Sequence, residues 1–454
     1  MKPYPAYKPS GVAWLGEVPS HWDAKCLKRL GLFRAGAGFP VDLQGRDGNA
    51  LPFFKVKDID GANVGGYLHE TDSSISYEDA KSLGAKVFPP SSIVFAKVGA
   101  ALLLNRFRLL GCQACIDNNM MGFVLDAALV YPAFARWAMH RINFAELVNP
   151  GTVPSLNEPQ VASIQIALPP AIAEQQAIAD YLDTETARID ELIREKEGLI
   201  GLLGEHRQGV ASDAVVRGLR RDCAMKSVTG GFGSIPAHWR LVPLKRFVRV
   251  SGGHTPSTDN PAYWDGAMPW VSPKDMKREE LSGSIDHVTD AAVDDCGLTV
   301  VAPGATLVVV RGMILAHSFP VARNIVPVTI NQDMKAIRPE SDVLSEYLPW
   351  MLRGVTPVVL SLTEQSAHGT LALRTDKFFG EALPIPPASE QAEIVAFLQT
   401  ELPKIDALIA HTKDEIRLLK ELRAATIAEA VLGRIDVRTA VAAGQPVTSN
   451  NPSV

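Results

Sequence analysis

The chain repeats its own sequence pattern, and this duplication constrains its fold more than any other feature. GEVPSHWDAKCLKRL begins at residue 16 and GSIPAHWRLVPLKRF begins at residue 233, a separation of 217 residues. The same separation relates LPFFKVKDI at 51 to MPWVSPKDM at 268, and LPP at 168 to IPP at 385. A repeat of this length is a duplicated domain, because solenoid units recur every ~20 to 50 residues. The chain therefore consists of two similar halves.

Each half ends in a segment with helical periodicity. EQQAIADYLDTETARIDELI from residue 174 matches EQAEIVAFLQTELPKIDALI from residue 390. In each segment, apolar residues recur every seven positions, which is typical of the seam of a coiled coil. A polar residue interrupts this series at the equivalent position of each segment, and such a residue can fix the register of two paired helices. The seam positions are Leu182, Ile189, Lys196 and Leu203 in the first segment and Leu398, Ile405, Thr412 and Leu419 in the second. We expect the segments to pair as an antiparallel spacer, with ordinary core packing as the alternative.

The spacer segments also contain residues that disfavour a helix. Pro403 stands where the first segment has Ala187, so the continuous second rod is expected to begin there. Rods of roughly 30 to 43 residues span ~45 to 65 Å, more than one DNA turn of ~34 Å. The glycines at 198, 201 and 204 are expected to mark a close helix approach or a bend.

Composition limits the class of protein without identifying it. The 454 residues are 46% hydrophobic and 21% charged, which is ordinary for a globular chain of two to four structural units. Five unevenly spread cysteines give no disulfide framework and fit a reducing compartment. The start MKPYPAYKPS lacks an apolar signal region, and no apolar run approaches ~18 residues. We expect a cytoplasmic protein.

The order of several motifs resembles that of the specificity subunit of type I restriction-modification systems. The motifs are YPAYKPSGVAWLGEVPSHW, GGHTPSTDNPAYWDGAMPWVSPKDM, INQDMKAIRP and the two segments that run from PP to EQ. The resemblance covers roughly residues 4 to 438 and rests on the order and duplication of the motifs. It implies an α+β protein in which two mixed α/β target-recognition domains, separated by long helices, each read one half of a split DNA sequence.

The resemblance also implies partners and boundaries. Such a subunit carries no catalytic residue, metal or cofactor, and it binds two methyltransferase subunits and two restriction-translocase subunits. The predicted segments are 1–168 and 237–386 for the target-recognition domains, 169–218 and 387–434 for the spacer helices, 219–236 for a linker and 435–454 for a disordered tail.

Candidate DNA contacts lie where predicted strands end. SSIVFAKV (91–98) and ATLVVVRG (305–312) predict buried strands that each end in a cation. Asn and Gln can read adenine, and Arg and Lys can read guanine. The candidates are Lys55, Lys57, Lys97, Arg106, Arg108, Asn118 and Asn119 in the first half and Lys274, Arg311, Arg323, Asn331 and Gln332 in the second. Surface ion pairing and turn chemistry are the alternatives.

The net charge of −5 argues against a basic domain that coats phosphates. Residues 23–146 carry +2, residues 174–216 carry −6 and residues 240–383 carry −2. We hypothesise that base contacts reside in this chain while its partners supply much of the phosphate affinity. Two alternatives remain open, a solitary specificity protein without catalytic partners and a coiled-coil adaptor that docks proteins.

Several motifs mimic catalytic or metal sites. NPAY at 260–263 resembles a methyltransferase tetrad, but it lies in a polar, turn-rich segment rather than after a Rossmann-type strand. Cys112 and Cys115 form a lone CxxC pair, which favours two partly buried thiols over zinc. His21 and His238 belong to the repeated P-x-H-W motif, where packing beside tryptophan is expected. The chain has no phosphate-binding G-x-x-x-x-G-K-[ST] motif, which excludes an ATP-driven motor of that type.

Overall fold

A computed structural model describes residues 2–63, 65–148, 153–220, 222–228, 231–340, 342–365 and 369–438. The chain divides into two compact units, of which unit 1 comprises Met1–Glu197 and Asp414–Val454 and unit 2 comprises Gly198–Lys413. Each unit contains one globule and a part of each of two long helices. Among the described residues, no helix is long and apolar enough to cross a membrane.

Unit 1 consists of short strands and short helices that lead into a long helix. Its strands are β1 (Tyr7–Pro9), β2 (Glu17–Pro19), β3 (Asp23–Cys26), β4 (Gly31–Ala35), β5 (Leu51–Phe54), β6 (Tyr67–Leu68), β7 (Ser74–Ile75), β8 (Ile93–Ala96), β9 (Arg108–Leu110), β10 (Cys115–Ile116), β11 (Met120–Leu125) and β12 (Gln165–Leu168). Its helices are α1 (Tyr77–Ser82), α2 (Pro132–Met139), α3 (Glu158–Ala162) and α4 (Ile172–Arg217), and α4 continues into unit 2.

Unit 2 repeats this arrangement. Its strands are β13 (Met225–Ser227), β14 (Ser234–Pro236), β15 (Arg240–Pro243), β16 (Val248–Gly252), β17 (Trp264–Val271), β18 (Glu280–Leu281), β19 (Asp286–Val288), β20 (Thr306–Val309), β21 (Val321–Asn324), β22 (Thr329–Ile330), β23 (Met334–Pro339), β24 (Thr363–Gln365), β25 (Leu371–Leu373) and β26 (Ala382–Ile385). Its helices are α5 (Asp290–Asp295), α6 (Tyr347–Gly354), α7 (Thr356–Leu360), α8 (Thr375–Gly380) and α9 (Ala388–Val431), and α9 continues into unit 1.

The sheets of the two units have the same topology. Unit 1 has a five-stranded sheet of order β4-β11-β8-β9-β6 and a three-stranded sheet of order β10-β5-β7. Unit 2 has a five-stranded sheet of order β16-β23-β20-β21-β18 and a three-stranded sheet of order β19-β17-β22. The central strands β8 and β20 are apolar and buried along their whole length, as predicted for strands covered on both faces. The predicted α+β fold class with an internal repeat is confirmed.

The repeated tryptophan and the EQ pair hold each globule to its long helix. In unit 1, the buried carboxylate of Glu174 accepts hydrogen bonds from Trp22 Nε1 at 3.1 Å and from Tyr4 Oη at 2.8 Å. In unit 2, Glu390 accepts a bond from Trp239 Nε1 at 3.0 Å. The rings of the repeated histidines approach the same carboxylates, at 3.1 Å for His21 and 2.7 Å for His238.

The glutamine of each EQ pair satisfies buried backbone groups. The Gln175 side chain accepts from Tyr131 N at 2.7 Å and donates to Pro169 O at 2.8 Å. The Gln391 side chain accepts from Leu344 N at 2.8 Å and donates to Pro386 O at 3.0 Å. Both glutamines are fully buried, and buried backbone groups need such partners. The helix therefore begins at a fixed orientation to the globule.

The long helices run antiparallel within each unit. In unit 1, Asp190 pairs with Arg423 (2.8 Å, Oδ1 to Nε) and Lys196 pairs with Glu415 (2.8 Å, Nζ to Oε2). In unit 2, Arg207 pairs with Asp406 (2.7 Å, Nε to Oδ1) and Arg220 pairs with Glu393. The residue numbers of these partners increase along α4 while they decrease along α9, so the two helices are antiparallel.

The seam positions differ in burial. Leu182, Ile189, Leu398, Ile405 and Thr412 are buried, whereas Lys196, Leu203 and Leu419 are half-buried. Thr412 donates its hydroxyl to Leu408 O at 2.8 Å, so its polar group is satisfied within its own helix. Lys196 is satisfied instead by its ion pair with α9 in unit 1.

One expectation about the long helices is wrong, and one of the two alternatives for the glycines of α4 is excluded. Helix α9 begins at Ala388 and continues through Pro403, rather than beginning there. Leu402 and Ile405 are buried on either side of the proline, and their burial offsets a helix penalty of about 3 kcal/mol. A Cβ added at Gly198, Gly201 or Gly204 would meet no atom within 4 Å, so these glycines mark no close helix approach.

A glycine that contacts the repeated tryptophan motif of the same unit follows the end of each long helix. Gly433, at φ +68°, would place a Cβ 2.5 Å from Pro19, and Gly218, at φ +72°, would place one 2.9 Å from Trp239. After Gly433 the chain stays on unit 1, where Val437 is fully buried and Asp436 N donates to Lys2 O at 2.8 Å. The described part of the predicted tail, 435–438, therefore packs on the globule, and the rest, 439–454, lies outside the described residues.

Candidate nucleic-acid interface

Four of the predicted contact residues of unit 1 lie at the carboxyl ends of β5 and β8 and at the β10–β11 turn. Asp117 N donates to Phe54 O at 3.0 Å, which brings the turn beside the end of β5. Lys97 N donates to Asn119 O at 2.8 Å, which brings the end of β8 to the same turn. Lys55, Lys97, Asn118 and Asn119 consequently lie at one edge of unit 1.

Unit 2 forms the equivalent edge. Asn331 N donates to Val271 O at 2.9 Å, and Val310 N donates to Asp333 O at 2.8 Å. These bonds join the ends of β17 and β20 to the β22–β23 turn. Lys274 and Gln332 therefore occupy the positions that Lys57 and Asn118 occupy in unit 1. Arg311 does not occupy the position of Lys97: Val310 makes the backbone bonds that Lys97 makes, and Arg311 corresponds to Val98.

The cations at the strand ends differ in how far carboxylates neutralise them. Lys55 and Lys57 both pair with Asp72, and the hydrogen bond from Lys57 is the largest cause that lowers the pKa of that carboxyl well below its usual range. Lys274 pairs with Asp286 at 2.5 Å, whereas Arg311 is 3.8 Å from Asp333 and largely exposed. Ion pairs between exposed charges such as these of Lys57, Lys274 and Arg311 contribute little to stability.

Arg106 and Arg108 lie at the far end of the 3₁₀ helix Val56–Gly61 that follows Lys55. Arg106 pairs with Asp60, and Arg108 donates to Ile59 O at 2.8 Å. Burial is the largest cause that lowers the pKa of Arg108, and the nearby Arg136 and Arg423 lower it further. Arg106 is therefore accessible, while Arg108 is held half-buried by its backbone bond.

Arg323 does not join the strand-end surface of unit 2. It lies on β21 with Nη2 3.0 Å from Glu346 Oε1 and Nη1 3.8 Å from Glu280 Oε1. Two carboxylates thus satisfy its charge, and β21 runs antiparallel to β20, which places it away from the end that bears Arg311.

The polar turn residues divide into structural and available groups. Asn331 is buried and its Oδ1 accepts from Asp333 N at 3.0 Å, a turn role that Asp117 repeats in unit 1 by accepting from Asn119 N at 2.8 Å. Asn118, Asn119 and Gln332 are exposed at the tips of these turns. Gln332 accepts a hydrogen bond from Thr255. The side chains that can meet a ligand are therefore those at the turn tips.

Sequence patterns did not indicate the segments that support this edge. In unit 1, Leu156 N donates to Lys97 O at 2.9 Å, and in unit 2, Leu373 N donates to Val310 O at 2.8 Å. A close approach also recurs, because a Cβ at Gly36 would lie 2.0 Å from Asp117 O and one at Gly253 would lie 2.1 Å from Asn331 O. The sequence signals these supporting residues only by repeating them, since Leu156 and Gly36 recur as Leu373 and Gly253.

A cationic cleft lies between the globule and the helices of unit 1. It is lined by Arg108, Arg136, Arg194 and Arg423, and the guanidinium of Arg136 bonds Asp183 at 2.7 Å.

Burial and the neighbouring arginines lower the pKa of His140 to about 3, so this histidine is neutral near pH 7. Burial likewise raises the pKa of Cys115 to about 11, which keeps that thiol protonated.

Comparison with known proteins identifies the family. The model of the type I restriction modification DNA specificity domain matches residues 19–200 and 236–418, one copy in each half of the repeat. The chain belongs to this family. The two matches together cover most of the chain, and their separation reproduces the duplication visible in its sequence.

Individual relatives are similar over part of the chain. The specificity subunit of the type I restriction enzyme EcoR124I/EcoR124II of Escherichia coli is 34% identical over 148 residues, 32% of this chain and 37% of that protein. The type I restriction enzyme MjaIX specificity subunit of Methanocaldococcus jannaschii is 31% identical over 194 residues, 42% of this chain and 43% of that protein. The chain thus spans less than half the length of the curated relatives it matches.

Solved structures of the family share the fold. A structure described as the basis of complex assembly and conformational transition of the type I R-M system aligns with a TM-score of 0.70 at 17% identity, covering 92% of this chain and 99% of that chain. The HsdS subunit from Thermoanaerobacter tengcongensis aligns with a TM-score of 0.52 at 17% identity, covering 92% and 98%. The likeness extends over both halves of this family member.

Proposed function

We propose that this protein is the DNA-specificity subunit of a type I restriction-modification complex and that each unit reads one half of a split DNA target. The observation that carries the proposal is the duplicated strand-end edge. The two edges have the same backbone connections but different side chains: Lys97 and Val98 in unit 1 are replaced by Val310 and Arg311 in unit 2, and Asn118 is replaced by Gln332. One scaffold with different side chains fits the reading of two different sequences.

The protein itself supplies recognition and no chemistry in this proposal. Its partners are duplex DNA, two methyltransferase subunits and the restriction-translocase subunits, all in the cytoplasm. The modest charge at the two strand-end edges fits a division in which this protein makes the base contacts and its partners make most of the phosphate contacts. Base contacts specify a sequence, while phosphate contacts position the protein.

Exposed leucines on the long helices support docking of the methyltransferase subunits. Leu418 and Leu422 of unit 1 are 54% and 51% exposed and lie one turn apart, while Leu202 of unit 2 is 64% exposed. Gly201 beside it has open space within 4 Å, which allows a partner helix to approach closely. Apolar helix faces of this kind bind the apolar face of another helix.

The docking proposal is tested by native mass spectrometry of the chain co-expressed with the methyltransferase subunit encoded beside it. Leu418→Ser with Leu422→Ser is expected to reduce the number of bound methyltransferase subunits. Leu129→Ser is the control, since Leu129 is similarly exposed at 46% but lies in a loop of the globule. Unchanged stoichiometry in the double variant contradicts this docking face.

The reading function is tested by selection of random duplex DNA with the same complex. We expect a motif of two short defined sequences separated by an undefined gap of fixed length. Lys97→Ala is expected to relax one defined sequence and Arg311→Ala the other, because each residue belongs to a different unit. A contiguous motif, or no motif, contradicts the proposal.

The long helices are proposed to set the gap. Helix α4 has 46 residues, about 69 Å at the α-helical rise. Insertion of one heptad after Glu197 and one after Lys413 keeps the seam in register and lengthens both helices by about 10 Å. The gap is then expected to increase by about three base pairs at ~3.4 Å each. An unchanged gap contradicts the spacer role.

A further inference from the structure

Each globule carries two exposed apolar side chains on the loop that leaves its candidate reading edge. In unit 1, Leu103 and Leu104 are 43% and 55% exposed in the 3₁₀ helix Ala100–Leu104 that follows β8. In unit 2, Met313 and Ile314 are 63% and 38% exposed in the 3₁₀ helix Met313–Ala316 that follows β20. Single exposed apolar residues are common, but an adjacent exposed pair occurs on the same loop in both copies, after the buried Leu102 in unit 1 and before the buried Leu315 in unit 2.

The loop of unit 1 is rigidly anchored on both sides of the pair. Gly99, at φ +81°, donates its N–H to Pro154 O at 2.8 Å, and Leu102 is buried at 1% exposure. The side chain of Asn105 then donates to Ile142 O at 3.0 Å, and Phe107 is fully buried. The exposed leucines are therefore held outward by a fixed backbone.

The loop of unit 2 has the same anchors. Gly312, at φ +140°, donates to Leu371 O at 2.9 Å, and Leu315 is buried at 2% exposure. Phe319 closes the loop at 5% exposure, as Phe107 does in unit 1. The anchoring residues recur, whereas the exposed pair differs in identity and in position within the loop, since Met313 and Ile314 precede the buried leucine and Leu103 and Leu104 follow it.

The charge around these loops suits a polyanion. Each loop begins at the cation of its strand end, Lys97 or Arg311, and neither 97–106 nor 311–318 contains Asp or Glu, although the whole chain carries −5. The backbone bond from Lys97 to Asn119 keeps the start of the first loop beside the exposed turn tip. Apolar side chains next to a cation and amides match a base edge that carries a methyl group.

We propose that Leu103 and Leu104 in unit 1, and Met313 and Ile314 in unit 2, read thymine methyl groups in the major groove of their respective half-sites. This inference rests on the proposed function and adds the specificity-determining residues to it. It also assigns the loops to apolar readout, while the neighbouring cations and amides supply the hydrogen bonds.

The test removes the methyl group from the DNA and the side chains from the protein in turn. Each thymine of both selected half-sites is replaced by uracil, and binding of the methyltransferase-bound protein is measured by fluorescence anisotropy. Loss of one contacted methyl group is expected to weaken binding about fourfold. In a variant carrying Leu103→Ala and Leu104→Ala, the same replacement in the unit 1 half-site is expected to have no effect, while the other half-site keeps its fourfold response. Met313→Ala with Ile314→Ala is expected to give the converse.

Controls come from equally exposed residues at the opposite ends of the same sheets. Leu129 follows β11 and Ile325 follows β21, both 46% exposed and both near the amino ends of the central strands. Leu129→Ala and Ile325→Ala are expected to leave every uracil response intact. The inference is overturned if the loop variants keep all uracil responses, or if the control variants abolish them. Selection of a split motif in either case leaves the proposed function standing, whereas failure to select any motif refutes that function itself.

Discussion

Replacement of Glu174 by Ala is predicted to destabilise unit 1 more than replacement of Glu390 destabilises unit 2. Glu174→Ala leaves two buried donors without an acceptor, Trp22 Nε1 and Tyr4 Oη, in residues that are 0% and 3% exposed. An unsatisfied buried donor costs about 1 to 3 kcal/mol, so the expected loss is about 2 to 6 kcal/mol. Glu390→Ala isolates one buried donor, Trp239 Nε1, because His238 reaches water, and the expected loss is about 1 to 3 kcal/mol.

Native-state hydrogen exchange read by mass spectrometry measures both losses within one molecule. Peptides from the first turns of α4 report on Glu174, and peptides from the first turns of α9 report on Glu390. In a Tyr4→Phe background, Glu174→Ala leaves one fewer buried donor without an acceptor, so its effect on the free energy of unfolding is expected to be smaller by about 1 to 3 kcal/mol. This comparison separates the effect of the unsatisfied donors from the effect of removing the carboxylate itself. Equal losses at the two sites, or no reduction in the Tyr4→Phe background, refute the reasoning.

The remaining predictions concern pH, helix ends and ion pairs. Because the pKa of His140 falls to about 3 in the folded protein, stability should decrease as pH falls below 6.5, by about 1 to 2 kcal/mol at pH 5, and His140→Gln should remove this dependence in urea titrations. Gly433→Ala, at φ +68° with Pro19 at 2.5 Å, should lower the melting temperature. Gly201→Ala, in an open helix interior, should stabilise the isolated chain by about 0.5 to 1 kcal/mol. A double-mutant cycle on Asp190 and Arg423, both partly exposed, should give a coupling of about 0.5 to 1 kcal/mol, and a coupling above 3 kcal/mol would contradict the exposure.

The duplication and the helical periodicity predict the architecture well, because both depend on local pattern. The seven-residue row locates the buried face around Leu182 and Ile189, and motif order locates two globules. The prediction from the pattern fails at Pro403, where the free-energy penalty of a proline inside a helix is smaller than the stabilisation from burying Leu402 and Ile405. Local propensity cannot weigh that long-range packing.

The candidate edge was predictable only in outline. The strands that end near Lys97 and Arg311 follow from continuous apolar, β-branched runs, but the ion pairs of Arg323 with Glu280 and Glu346 join residues that are distant in sequence. The role of the EQ pair is hidden for the same reason, since Glu174 meets Trp22 across 152 residues. Spatial neighbours at such separations leave no periodic signal along the chain.

Methylation mapping of the genome that encodes this chain tests the central claim most directly. Long-read sequencing with the gene intact and with the gene deleted compares every modified site. We predict that deletion removes methylation from one split motif with a fixed gap and from no other motif. Unchanged methylation, or loss from a contiguous motif, would contradict the account of two globules that each read half of one target.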